Sequence, residues 1–182
     1  MRSGGDTVAH ANGETRQIGQ RKMGRKPQRA RAKRPVQIRA HADVRNRLTS
    51  LLRIGRNGDS LSQVVENMLF VMEVIYNGSG REQLVRSCYE TKARQLMEAA
   101  RAGAEPEQRL VHVTVDTEAL AFADLMVRRH RRLFASRRDM GGLLLYYAST
   151  YCENEELARY FVARLEQAAR LHPLYGPPGA RE

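Results

Sequence analysis

The sequence predicts a mainly α-helical fold carrying a short two-stranded antiparallel β-ribbon. Three observations predict it. Two short segments alternate apolar and polar residues, and each is followed by two stretches with the 3.6-residue spacing of a helix. A six-residue strand also cannot stand alone, because its backbone N–H and C=O groups need a partner strand. Two such segments in one chain supply each other's partner.

Residues 1–34 are expected to be a disordered tail, since Gly, Ser, Asn, Gln and charged residues dominate and apolar residues are few and aperiodic. The tail carries ten basic residues, among them Arg25, Lys26, Arg29, Arg31, Lys33 and Arg34, against Asp6 and Glu14. Order is expected to begin at Pro35. Val36, Ile38 and Ala40 alternate with Gln37, Arg39 and His41, which reads as a strand with one buried face. Val44, Leu48, Leu51 and Leu52 then form one helical stripe, and Arg56-Asn57-Gly58-Asp59 breaks it. Ser60-Leu61-Ser62-Gln63 fits a capping box. The helix it starts has a broad apolar face of Leu61, Val64, Val65, Met68, Leu69, Met72 and Ile75 and ends at Asn77-Gly78-Ser79-Gly80. These elements make a first unit, residues 35–78.

A helical connector, 79–108, follows. Its helix over 81–101 places Leu84, Val85, Cys88, Leu96 and Met97 on the apolar side, and Gly103-Ala104-Glu105-Pro106 ends it. The first pattern then returns over 109–152. Val111, Val113 and Val115 alternate with His112 and Thr114, and Asp116-Thr117-Glu118 starts a helix bearing Leu120, Phe122, Ala123 and Met126. Ser136-Arg137-Arg138-Asp139 is a second capping sequence, and Leu143, Leu144, Tyr147, Ala148 and Tyr151 form the core side beyond it. Residues 153–182 are read as a last helix, about 154–171, with Leu157, Tyr160, Phe161 and Leu165 on its apolar face, and a loose tail marked by Pro173, Pro177 and Pro178.

Lys plus Arg number 31 against 20 Asp plus Glu, a net charge of +11, which favours polyanionic partners, nucleic acid first. No apolar run approaches the roughly 18–20 residues of a membrane span, and Met1–Glu14 lacks the apolar centre of a secretory signal. A cytoplasmic protein is expected, with no membrane partner. Two cysteines, Cys88 and Cys152, and five scattered histidines give no clustered ligand set, so neither metal nor cofactor is expected. Tyr146, Tyr147 and Tyr151 raise the question of a nicking tyrosine, but such chemistry needs a histidine cluster or an Arg/His constellation around the nucleophile. Helical spacing reads these tyrosines as core, and no enzyme activity is expected.

An antiparallel pair of strands above four helices leaves one face of the ribbon pointing outward. A two-stranded ribbon fits the B-DNA major groove, about 12 Å wide, where each base pair shows a distinct donor and acceptor pattern. Pro35-Val36-Gln37-Ile38-Arg39-Ala40 followed by Gly58-Asp59-Ser60-Leu61-Ser62-Gln63-Val64-Val65 resembles the ribbon-helix-helix superfamily of the Arc, MetJ and CopG repressors. The resemblance covers the first unit and, more weakly, the second. It implies a tandem ribbon-helix-helix fold binding double-stranded DNA. By resemblance, Gln37, Arg39, His112 and Thr114 read bases. Arg34 and the N–H groups near Ser60, Leu61 and Ser62 hold phosphate, as do Ser136, Arg137 and Arg138 in the second unit. Arg25, Lys26, Arg29, Arg31 and Lys33 add tail contacts, whose energy comes from counterion release and falls steeply with salt. The tandem arrangement resembles the accessory DNA-binding proteins of bacterial conjugation and T-DNA transfer. This implies a repressor or an accessory protein at a plasmid or transfer origin, with a DNA-processing enzyme as a further partner.

Two alternatives stay open. The units pair within one chain as a pseudo-dimer, or each pairs with its equivalent in a homodimer. The outward charges read bases, or they only discourage edge-to-edge aggregation. Under the second of these the chain is a helical protein-interaction module with non-specific DNA attraction through its tail.

Overall fold

The computed structural model describes residues 32–48, 60–103, 108–152 and 154–173. Two nine-residue strands, β1 (Lys33–His41) and β2 (Gln108–Asp116), form one antiparallel sheet. The register runs from Lys33 opposite Asp116, through Gln37 opposite His112, to His41 opposite Gln108. Alternation sends Ile38, Ala40, Val113 and Val115 into the interior, where each is 3 % exposed or less. Six helices complete the described chain: α1 (Ala42–Arg47), α2 (Ser60–Asn77), α3 (Arg81–Arg101), α4 (Thr117–Arg129), α5 (Arg137–Ser149) and α6 (Glu155–Ala169). The strand–helix–helix order thus occurs twice. Among the described residues no helix is long and apolar enough to cross a membrane.

The packing is crossed. Helix α2, from the first half, lies against β2, and α5, from the second half, lies against β1; likewise α2 meets α6 and α3 meets α5. One core results, with Ile38, Leu48, Phe70, Met126, Phe134 and Leu145 among its most enclosed side chains.

Helix α2 also satisfies the free edge of β2. Ser62 Oγ accepts the Thr114 N–H at 2.9 Å, and Glu66 Oε2 accepts the Asp116 N–H at 2.9 Å. Four residues of helix rise about 6.0 Å and two residues of strand about 6.8 Å, so an i, i+4 pair on α2 matches alternate N–H groups of β2. Thr114 therefore points its N–H away from β1, and Pro35, directly opposite, needs no N–H of its own. On the other side, α5 reaches β1 through Gly141 and Gly142. A Cβ on Gly142 would lie 2.5 Å from the Arg39 carbonyl oxygen, and one on Gly141 would lie 2.8–3.0 Å from three atoms of Ile38.

Two helix starts, at Asp116 and Ser136, follow the sequence signals, and Asn154 is a third side-chain cap. Asp116 accepts from Glu118 N at 2.8 Å, Ser136 from Asp139 N at 3.2 Å, and Asn154 from Leu157 N at 2.8 Å. Asp139 also reaches back, but its Oδ2 accepts the Ala135 N–H, at 2.9 Å, one residue before the N-cap whose N–H a capping box would satisfy. The Ser60 side chain of the first capping sequence, Leu51, Leu52 and the break at Arg56–Asp59 lie outside the described residues.

Several expectations are corrected. Order starts before Pro35: Lys33 and Arg34 belong to β1, because Ala32 O accepts the Thr117 N–H at 3.0 Å and extends the ladder, while Lys33 Nζ lies 3.3 Å from Glu66 Oε2. On α3, Leu96 and Met97 are 61 % and 55 % exposed, since its apolar contact with the core lies in the half around Leu84, Val85 and Cys88. On α6, Leu157 and Tyr160 face outward and Phe161 is buried. Tyr147 and Tyr151 stay partly open, and only Tyr146 of that trio is core. Ile75 is likewise partly open, near the end of α2.

At the C-terminal end of α4, His130 Nε2 lies 3.2 Å from the Tyr76 hydroxyl, and Arg81 sits over the Tyr76 ring. Burial first, then the charges of Arg129 and Arg81, push the His130 pKa below 6.5. The unfolded chain then binds the proton more readily, so stability rises with pH through this group. Its contribution is present above the unfolded value, about 6.5, and is lost as pH falls through the folded one. NMR titration of the ring should give a midpoint below about 6.5; a midpoint at or above the free-histidine value contradicts this account.

Candidate nucleic-acid interface

One face of the ribbon is turned away from the core. It presents Pro35, Gln37 and Arg39 from β1 opposite Thr114, His112 and Leu110 from β2. Arg39, His112 and Thr114 are exposed, and Leu110 is 48 % exposed. All four residues expected to read bases therefore lie on one surface. Gln37 is half-buried, because Arg138 at the start of α5 leans against it, with Nη2 3.5 Å from Gln37 Oε1.

The outward set is chemically mixed. Arg39 brings a guanidinium able to donate two bonds to guanine O6 and N7, and Gln37 and His112 bring groups that donate and accept. Leu110 is an outward residue that the sequence reading passed over. Its signal was available: the polar positions 112 and 114 step back by two to 110. The sequence spacing that takes Gln37 to His112 also takes Arg34 to Arg109, and His41, the N-cap of α1, to Asp116, the N-cap of α4. Arg34 and Arg109 are both exposed, at opposite ends of the ribbon.

The residues expected to hold phosphate divide. Ser60 and Leu61 open α2, with the Leu61 side chain buried and its backbone in the first turn. The Ser62 hydroxyl is engaged with Thr114 N, so any phosphate contact there falls to backbone groups. Ser136 caps α5 and is exposed. Arg137 is committed to another partner, with Nη2 2.7 Å from Asp124 Oδ2 on α4, so much of its charge is answered within the chain. Arg138 is exposed beside the ribbon. A cleft of about 800 Å³ at the end of β1 is bordered by Arg39, His41, Lys92, Ser136, Arg137 and Arg138. Lys92 in that cleft is held by Leu133 O and by Asp139 Oδ2 at 3.2 Å. Of the tail contacts, Arg25, Lys26, Arg29 and Arg31 lie outside the described residues, and Lys33 is a strand residue tied to Glu66.

The Tyr146 and Tyr147 hydroxyls hold their protons at neutral pH. Burial first, then Glu98, pushes Tyr146 up to about 12, and burial and the neighbouring Tyr151 do the same for Tyr147. Burial raises the Cys88 and Cys152 thiols to about 11. No protein-family model, no curated protein and no solved structure matches the chain.

Proposed function

We propose that the chain binds double-stranded DNA sequence-specifically as a tandem ribbon-helix-helix protein, an intrachain pseudo-dimer whose β1–β2 ribbon enters the major groove. One observation carries the reading: Gln37, Arg39, His112 and Thr114 share the single ribbon face turned away from the core. The repeated strand–helix–helix order and the +11 net charge support it. Occupancy then does the work, either by covering a promoter or by marking a plasmid or transfer origin for a DNA-processing partner.

The two halves carry different readers, with Gln37 facing His112 and the position equivalent to Arg39 held by Thr114. An asymmetric target follows, since a palindrome suits identical half-readers. Selection of bound duplexes from a random pool tests the proposal. The wild-type chain should enrich a defined, non-palindromic site. The Gln37→Ala/Arg39→Ala variant should lose about 1–3 kcal/mol of discrimination for each bidentate contact removed, while keeping salt-sensitive non-specific binding. An unchanged preference in the variant refutes base reading by this face. It would favour the second reading, a protein-interaction module, which the open Leu96 and Met97 on α3 and Tyr160 on α6 support.

A further inference from the structure

Helices α2, α3, α5 and α6 enclose a cleft of about 540 Å³ on a different set of residues from the ribbon face. That volume lies within the roughly 300–1,000 Å³ of small-molecule sites. Its walls are apolar: Met72 from α2, Leu144 from α5 and Phe161 from α6, with Cys88 from α3 held as a neutral thiol by burial. Tyr151 stacks on Phe161 with ring centroids 4.7 Å apart and planes 11° apart, which makes one wall flat. Among the described residues that line the cleft, Arg164 is the only charged one, and no carboxylate faces it there. Arg164 donates to a neutral partner, Gln167 Oε1 at 3.2 Å, and that contact does not answer its positive charge.

An apolar chamber with a single cation at its border fits a ligand with an apolar body and one anionic end. We infer that this cleft binds an apolar monocarboxylate, its hydrocarbon part among Met72, Leu144 and Phe161 and its carboxylate on Arg164. Arginine suits the task because its planar fork meets a carboxylate through two parallel N–H···O bonds. A neutral ligand of the same shape forgoes that pairing. The inference is independent of DNA reading, since none of the ribbon's outward residues lines the cleft.

Calorimetric titration of the full chain with dodecanoate, below its micelle-forming concentration, tests this, with dodecanol as the neutral comparison. One-to-one binding of dodecanoate is expected, with a negative heat-capacity change from apolar burial. Arg164→Gln should weaken dodecanoate roughly tenfold, the size of one charge-assisted contact, and leave dodecanol unchanged. Ser87→Trp, at an exposed α3 position on the cleft, should abolish binding without lowering the melting temperature. Absence of dodecanoate binding, equal affinity for dodecanol, or binding that survives Ser87→Trp in a folded chain overturns the assignment.

Discussion

Phe70→Ala should cost about 3–5 kcal/mol of folding stability, the range for removing a large aromatic side chain from a core. Phe70 is wholly enclosed, and its ring lies 4.6 Å, centroid to centroid, from the ring of His172 just past the end of α6. His172 in turn reaches Glu73, one turn along α2 from Phe70, with Nε2 3.0 Å from Oε2. Truncation therefore opens a cavity and also loosens the contact that ties the end of α6 to α2. At roughly 2–4 °C per kcal/mol for a chain of this size, the melting temperature should fall by roughly 6–20 °C. Urea unfolding of wild type and variant checks the figure. A loss below about 1 kcal/mol would mean the site collapses around the gap, contrary to the packing described.

Gly142→Ala should also destabilise, against the usual direction for a helix interior, where alanine gains about 1 kcal/mol over glycine. The new methyl would meet the Arg39 carbonyl oxygen at 2.5 Å, a backbone atom that cannot rotate aside. Either α5 or β1 has to move, and forced overpacking of this kind costs about 1–3 kcal/mol, which cancels the propensity gain at its low end and outweighs it above that; a backbone contact this close belongs to the upper part of the range. Arg39 is exposed on β1 and is a base reader in the proposed function, so the same shift should lower preference for the selected DNA site before the fold is lost. Comparing urea midpoints and site preference for Gly142→Ala and for Ala148→Gly, a change of opposite kind elsewhere on α5, isolates the effect. Higher stability in Gly142→Ala would contradict the close approach of α5 to the ribbon.

Much of this arrangement is written in local sequence. The alternation at Val36–Ala40 and Val111–Val115 placed both strands and the face each buries, because a period of two leaves only one choice of buried face. Ser136 and Asp116 announced helix starts through short-range hydrogen bonds to residues two or three positions on. What was illegible depends on partners distant in the chain. Lys33 reads as tail until Glu66, itself 3 % exposed, is found beside it. Leu96, Leu157 and Tyr160 have helical spacing, but spacing does not say how far a neighbouring helix extends to cover them. The Arg137 side chain looked unengaged because its partner, Asp124, lies on another helix. The outward ribbon face was thus the most legible part of the candidate site and the side-chain partners around it the least, since the former follows from strand period and the latter from side-chain competition.

Under the pseudo-dimer proposed above, both strands of the ribbon belong to one polypeptide, and dilution cannot separate them. A ribbon shared between two chains obeys mass action, and its folded fraction falls as protomers become scarce. Here the entropy of bringing the strands together is that of closing an internal loop, a cost that rises only slowly with length. A handful of molecules would keep the assembled ribbon as reliably as a concentrated solution.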